Sequence, residues 1–498
     1  MARVPGLAHR GCPATSLGSP LQKKRASGRP ALDAPVIVAQ VLAAERRNFI
    51  DIVRKDQIKM RTKLRPLVRL AATMSVAASL FAQNPQQLNV LVGTKLGTNL
   101  DLGINTSGGI TNWLTPEPPP PSPGDLKMVC PAAQQWCAMF ITDGPAISTY
   151  PRPGLDLSAY QTLIVEFEGD PGTTIQIGLK DATQPDDGTE TKVTLPVTSS
   201  WTAYAIPLSK FATPVSAHGG YVINFHEIYI PCEFVFAGGP QAQTVKVRTI
   251  TYTSAPAPSL VSVESAASFL AGAGANTWVS VFGQNLSSSS RGWAGSDFQQ
   301  NNLPTALDGV GLSVNGQPMA ISYISPGQIN ALMLSNVPAG QAYVSVTNSV
   351  GVSVPLTLNI QAVLPGLFTF SAPNSKYAAA VASSDGAYIA PAGVFGSGVT
   401  SRPAKPGEII ELYGTGFGLT NPPDTPGMLV QQPLPLVSQV QVLFGNTPSP
   451  KVYFAGLSES GLYQFDVVVP NIANGDQTVV VTIGSAASQS NVFVPISN

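Results

Sequence analysis

Apolar and polar residues alternate along six short stretches of this chain: YQTLIVEFEG (160–169), TTIQIGLKD (173–181), ETKVTLPV (190–197), WTAYAIPLSKF (201–211), HEIYIPCEFVF (226–236) and QTVKVRTITY (243–252). A period of two is the mark of a strand with one buried face, and turn residues separate the stretches at the intervals of a β-sandwich. Upstream, the run TPEPPPPSPG (115–124) is stiff and extended, and is expected in a surface loop outside any strand or helix. Downstream, SAPAPS (254–259) reads as a short linker.

Beyond the linker the pattern repeats. NTWVSVFGQNL (276–286) parallels GEIIELYGTGFG (407–418), with Phe282-Gly283 matching Tyr413-Gly414 at an offset of 131. The segment 310–334 parallels 440–469, where Tyr323 matches Tyr453 and GQIN (327–330) matches YQFD (463–466). Solenoid units repeat every 20 to 50 residues or so, so a period this long means two whole domains, each with its own core. The expected divisions are a first module at 83–255 and two further sandwiches at 256–362 and 363–498.

The glycines of ELYGTGFG (411–418) raise the question of a phosphate cradle. In such fingerprints the glycines open a helix, but here LTNPPDTPG follows, which starts none, and the matching FGQNL of the first copy keeps one glycine. A β-turn needing positive φ is the expected role.

Composition fits a folded β protein. Charged residues are 11% of the chain, and 46 glycines with 45 prolines stay below the level that signals disorder. The net charge is zero, but residues 1–82 hold 15 Lys/Arg against 4 Asp/Glu, so 83–498 carry about −11, which disfavours nucleic acid as a partner. The basic surplus belongs partly to MRTKLRPLVRLAATMSVAASLFAQ, from Met60, where Arg61, Lys63, Arg65 and Arg69 precede an apolar stretch at 70–81. That layout is a secretory signal peptide, expected at 60–82 with cleavage after Ala82. Residues 1–59 then form a leader of doubtful status, with Met60 the expected start. The competing reading, a cytoplasmic extension with 70–81 as an anchor, is disfavoured because the stretch is shorter than the roughly 20 residues that span a bilayer. The expected product is secreted or surface-bound, with no membrane span.

Cysteine usage is compatible with an oxidising compartment. Cys130 and Cys137, in CPAAQQWC, are candidates for a disulfide, while Cys232 reads as buried or as a disulfide half.

Two resemblances sharpen the fold. The order LDLSAYQTLIVEFEG, IQIGLKD, WTAYAIPLSKF, VKVRTITY resembles the galactose-binding-like jelly rolls of carbohydrate-binding modules attached to secreted glycoside hydrolases, over about 150–252. WVSVFGQNL, YISPGQIN, LYGTGFG, VYFAGL, GLYQFDVVVP and NGD resemble an uncharacterised C-terminal domain family of secreted acidobacterial proteins, and more distantly IPT/TIG immunoglobulin-like domains. Together they imply an all-β chain: a jelly-roll β-sandwich followed by two tandem Ig-like β-sandwiches. The first resemblance implies glycan binding and the second brings no activity.

Candidate chemistry is sparse. No G-x-S-x-G elbow occurs, and His226 lies beside Glu227 in an alternating stretch, where a surface or hydrogen-bonded role is expected. The acids Glu166, Glu168, Asp170, Asp181, Asp186, Asp187 and Glu190 crowd one segment, and Glu166 and Glu168 share a strand face, which leaves a glycoside hydrolase as an alternative. Asp181, Asp186 and Asp187, in DATQPDDG, offer oxygen ligands for a structural calcium ion; the competing reading is a solvated acidic loop. Sugar rings stack their C–H faces on aromatics, so the candidate glycan contacts are Trp113, Trp136, Tyr150, Tyr160 and Tyr221, with Tyr204 and Tyr229 also considered and Trp201 the weakest. Trp113 and Trp136, flanking the proline run, are the expected exposed pair. The function expected is a non-catalytic binding protein for a polysaccharide or surface glycan, with the Ig-like domains as spacers or protein contacts. The alternative from another class is a structural or adhesive protein that binds no glycan.

Overall fold

The structure, a computed structural model, describes residues 85–117, 124–183, 190–215, 219–371 and 376–498. The leader, the signal segment, Asp186, Asp187 and most of the proline run lie outside them. The chain is all-β, and its core falls into three main clusters, one for each sandwich.

In the first sandwich all six expected stretches are strands or contain one. Thr162–Gly169, Thr202–Pro207 and Gln243–Thr253 lie in one sheet, and Thr174–Asp181, Thr191–Pro196 and Ile228–Ala237 in the other. Alternation buries Leu163, Val165 and Phe167 of the first sheet against Ile175, Ile177 and Leu179 of the second. The second sheet has five strands, in the order Leu100–Thr106, Trp136–Asp143, Ile228–Ala237, Thr174–Asp181, Thr191–Pro196.

The proline run corrects one expectation. Leu114–Glu117 is a strand paired with Asp125–Cys130, and Pro116 faces Leu126 within it. Among the described residues Asp125–Cys130 is its one partner, which makes it an edge strand, where a missing N–H leaves no ladder bond unmade.

The two later sandwiches share one pairing scheme. In the first copy Val310–Val314 pairs with Gly340–Thr347, which also pairs with Leu356–Gln361; in the second, Val440–Phe444 pairs with Gly475–Ile483, which pairs with Phe493–Ile496. Opposite these, Trp278–Gln284 meets Gln328–Leu332 as Ile409–Thr415 meets Leu462–Val468. The glycines of ELYGTGFG serve backbone geometry. Gly416 and Gly418 have φ of 80° and 92°, and a Cβ on Gly414 would stand 2.5 Å from the Gly366 carbonyl oxygen.

The sandwiches are fastened to one another. Tyr204-Ala205 of the first pairs in parallel with Val352-Ser353 of the second, so one sheet runs through both. Between the second and third, Trp278 donates its backbone N–H to Thr415 Oγ1 (2.8 Å) and its indole N–H to the Ser460 carbonyl (3.0 Å). Gln489 donates from Nε2 to the carbonyls of both Ala267 (3.2 Å) and Leu367 (2.7 Å).

Candidate functional site

The outer face of the five-stranded sheet carries an exposed tryptophan together with carboxamide and charged side chains. Its phase is fixed by a disulfide. Cys130 and Cys137 are bonded, with Cα atoms 5.8 Å apart, and both are buried, so on Trp136–Asp143 the core takes Cys137, Met139 and Ile141. Strand alternation then turns Trp136, Ala138, Phe140 and Thr142 to the opposite face, where Trp136 is exposed and Phe140 half-buried while Ala138 and Thr142 are covered. Trp136 is 38% exposed.

Register lines up two rows across the face. One runs Asn105, Ala138, Val235, Gln176, Thr194; the other runs Gly103, Phe140, Glu233, Gly178, Lys192. At about 4.8 Å between strands, each row spans roughly 19 Å. The two glycines make room on either side. A Cβ on Gly103 would collide with the Phe140 ring, which lies over it, and one on Gly178 would stand 2.8 Å from Glu233 Oε2.

Charge is concentrated toward one edge. Glu190 meets Lys180 at 2.6 Å and Lys192 at 2.8 Å, and Lys192 lies 3.9 Å from Glu233. Burial works to raise the Glu190 carboxyl, but hydrogen bonds from Lys180 and Lys192 outweigh it and hold the group below the usual glutamate range. At the Asp143 end of the face, Arg152 lies over two rings, 4.8 Å from the centre of Tyr150 and 4.9 Å from that of Tyr229. Tyr229 is buried and its hydroxyl accepts from the Ile147 N–H at 2.8 Å, whereas Tyr150 is 53% exposed. Exposed aromatics therefore bracket the face, Trp136 at one end and Tyr150 at the other.

The remaining candidates fall elsewhere. Trp113 is 4% exposed and packs edge-on against Phe236 at 5.7 Å, which removes it as a stacking platform and corrects the expected exposed pair. Tyr204 is buried against Phe167. Tyr160 and Tyr221 are half-buried and pack on the core away from this face. Asp181 is fully buried; its Oδ1 accepts from the N–H and hydroxyl of Thr183 and its Oδ2 from the Asn224 N–H, so it braces a turn. Among the described residues no group of three or more His, Cys, Asp or Glu is placed to hold a metal ion.

The acids do not converge on one point. Glu166 lies on the outer face of the other sheet, bound by Arg248 and, at 3.1 Å, by the Thr249 hydroxyl; the Arg248 hydrogen bond holds its carboxyl below the usual range. Glu190 is on the opposite side of the sandwich. Asp170 accepts the Thr244 N–H at 2.7 Å. Cys232 is a free thiol, wholly buried, and burial pushes its pKa well up.

Phe140, Glu233, Gln176, Lys192 and Arg152 were not singled out from the sequence. The strand WCAMFITD is apolar on both faces, so its phase is hidden unless Cys137 is first assigned inward through its disulfide.

No family model matches the chain, and no curated protein matches it. Parts of it are similar to solved structures. A family 30 carbohydrate-binding module is 17% identical, with 35% of this chain and 91% of that one covered and a TM-score of 0.26. The family 11 carbohydrate-binding module of the cellulosomal cellulase Lic26A-Cel5E of Clostridium thermocellum is 15% identical, with 36% and 98% covered and a TM-score of 0.23. An agarase, AgWH50C, is 10% identical, with 35% and 25% covered and a TM-score of 0.23. At such scores and identities these likenesses carry no weight for what this chain binds. Among the described residues no helix is long and apolar enough to cross a membrane.

Proposed function

We propose that this chain is a non-catalytic glycan-binding protein acting outside the cytoplasm, and that the outer face of the five-stranded sheet receives a polysaccharide. The observation that carries the reading is the pair Trp136, exposed, and Phe140, half-buried beside Tyr229, on the outer side of one strand, with Asn105 and Gln176 in the row between them and Glu233 and Lys192 in the row of Phe140. The pair is four residues apart, roughly 13 Å at about 3.3 Å per residue, so two aromatic contacts address separate rings of a chain-like ligand. Asn105, Gln176 and Glu233 then stand where sugar hydroxyls need partners. The two Ig-like sandwiches hold the module at a set distance from whatever retains the protein. The disulfide and the segment at 60–82 support an extracytoplasmic setting. Hydrolysis through the Glu166 and Glu168 pair is disfavoured because the Arg248 hydrogen bond holds the Glu166 carboxyl below the usual range, the wrong direction for a proton donor.

Affinity electrophoresis of the full chain in gels containing plant or bacterial polysaccharides tests the reading. At least one polysaccharide is expected to retard the protein, with Trp136→Ala weakening the interaction about tenfold or more and no reducing sugar released. Retardation by none would favour a structural or adhesive role, and reducing-sugar release would favour a hydrolase.

A further inference from the structure

A cleft of about 930 Å³ opens where the first sandwich meets the second, and none of the outer-face residues described above lines it. One wall holds Tyr160, Lys210, Asn224 and Phe225; the other holds Val261 and Gln284. The walls are set by fixed contacts. The Thr162 hydroxyl donates to the Ala255 carbonyl at 2.6 Å, Ser254 N–H to the Gln86 carbonyl at 3.0 Å, and Asn285 Nδ2 to the Ala257 carbonyl at 3.1 Å. With the Tyr204-Ala205 pairing to Val352-Ser353, these bonds hold the connector on both sides, so the cleft exists before any ligand arrives.

Its chemistry is mixed in a particular way. Tyr160 and Phe225 are half-buried aromatics, Asn224 and Gln284 are exposed carboxamides, and the exposed Lys210 ammonium is in no ion pair among the described residues. Aromatic surface for ring C–H groups beside donors and acceptors for hydroxyls is what a polyhydroxylated ligand requires. The volume lies at the upper end of the usual range for small-ligand clefts, about 300 to 1,000 Å³, which suits several sugar rings better than one.

We infer that this junction is a second ligand site, that it takes a short saccharide, and that both sandwiches contribute to it. The inference shares its ligand class with the sheet-face reading but uses none of that face's residues, so each stands or falls by its own variants. The test is hydrogen exchange and titration calorimetry on the full chain with short gluco-, manno-, galacto- and uronate oligosaccharides. A bound oligosaccharide is expected to protect amides near Asn224 and near Gln284 together. Lys210→Ala combined with Gln284→Ala, both at exposed positions, is expected to weaken this binding about tenfold without moving the thermal midpoint, as for the loss of one or two hydrogen bonds to the ligand. Trp136→Ala is expected to leave it unchanged. Protection of neither wall by any of the oligosaccharides, protection of one wall alone, or a double variant that binds as tightly as the parent would each overturn the site. Complete loss of binding in Trp136→Ala would leave the sheet face as the sole site and overturn the cleft.

Discussion

Trp113 and Trp136 carry the same side chain and stand on opposite sides of one sheet. Both flank a proline run, and their sequence neighbourhoods do not separate them; the Cys130–Cys137 bond does, by fixing which residues of Trp136–Asp143 face inward. Gly103 makes the same point from a residue with no side chain. Because its missing Cβ leaves room for the Phe140 ring, Gly103→Ala is expected to push that ring away from the sheet, lower stability by about 1–3 kcal/mol and weaken polysaccharide binding. Thermal unfolding and affinity electrophoresis of the variant check this, and an unchanged midpoint with unchanged binding would show that the ring does not depend on the glycine. Glu166 and Asp181 were legible as acids but not as partners, since Arg248 and Asn224 reach them from strands and turns far along the chain.

At the level of strands, the alternation in 160–252 was readable because each strand buries one face and leaves the other polar. The strands before it were not, for different reasons. Leu100–Thr106 is rich in Asp, Asn and Gly, which are poor strand formers, and Trp136–Asp143 is apolar on both faces. Pro116 hides a third, whose place at the sheet edge is a property of the sheet and not of the segment. The disulfide ties the end of Asp125–Cys130 to the start of the Trp136 strand. Reduction, or Cys137→Ser, is therefore expected to lower stability by about 2–3 kcal/mol, the entropy of a short closed loop, and to reduce binding through a less firmly held Trp136. Denaturant titration with and without reductant measures the first effect; equal midpoints would mean that the strand pairing alone fixes this corner.

For the whole molecule, the repeat at an offset of 131 was visible because both copies keep the same strand sequence, and the shared pairing scheme follows from it. What the sequence concealed is how the sandwiches meet, because the pairing of Tyr204 with Val352 and the bonds from Trp278 and Gln489 join residues more than a hundred positions apart. Trp278 is central to the second junction: its indole packs on Trp293 and beside Gly461 while bonding to Ser460. Trp278→Ala is expected to cost about 3–5 kcal/mol and to split the unfolding of the second and third sandwiches into separate calorimetric transitions. A single unshifted transition would mean that the junction contributes little. The three sandwiches are thus joined by direct bonds at both junctions. The most direct measurement of the role of the face that bears Trp136 is a crystal structure of the full chain with an oligosaccharide cut from whichever polysaccharide retards it. A sugar ring stacked on Trp136, with the ligand lying across the five-stranded sheet toward Phe140, is the predicted result; a ligand bound elsewhere, with Trp136 still facing solvent, would contradict it.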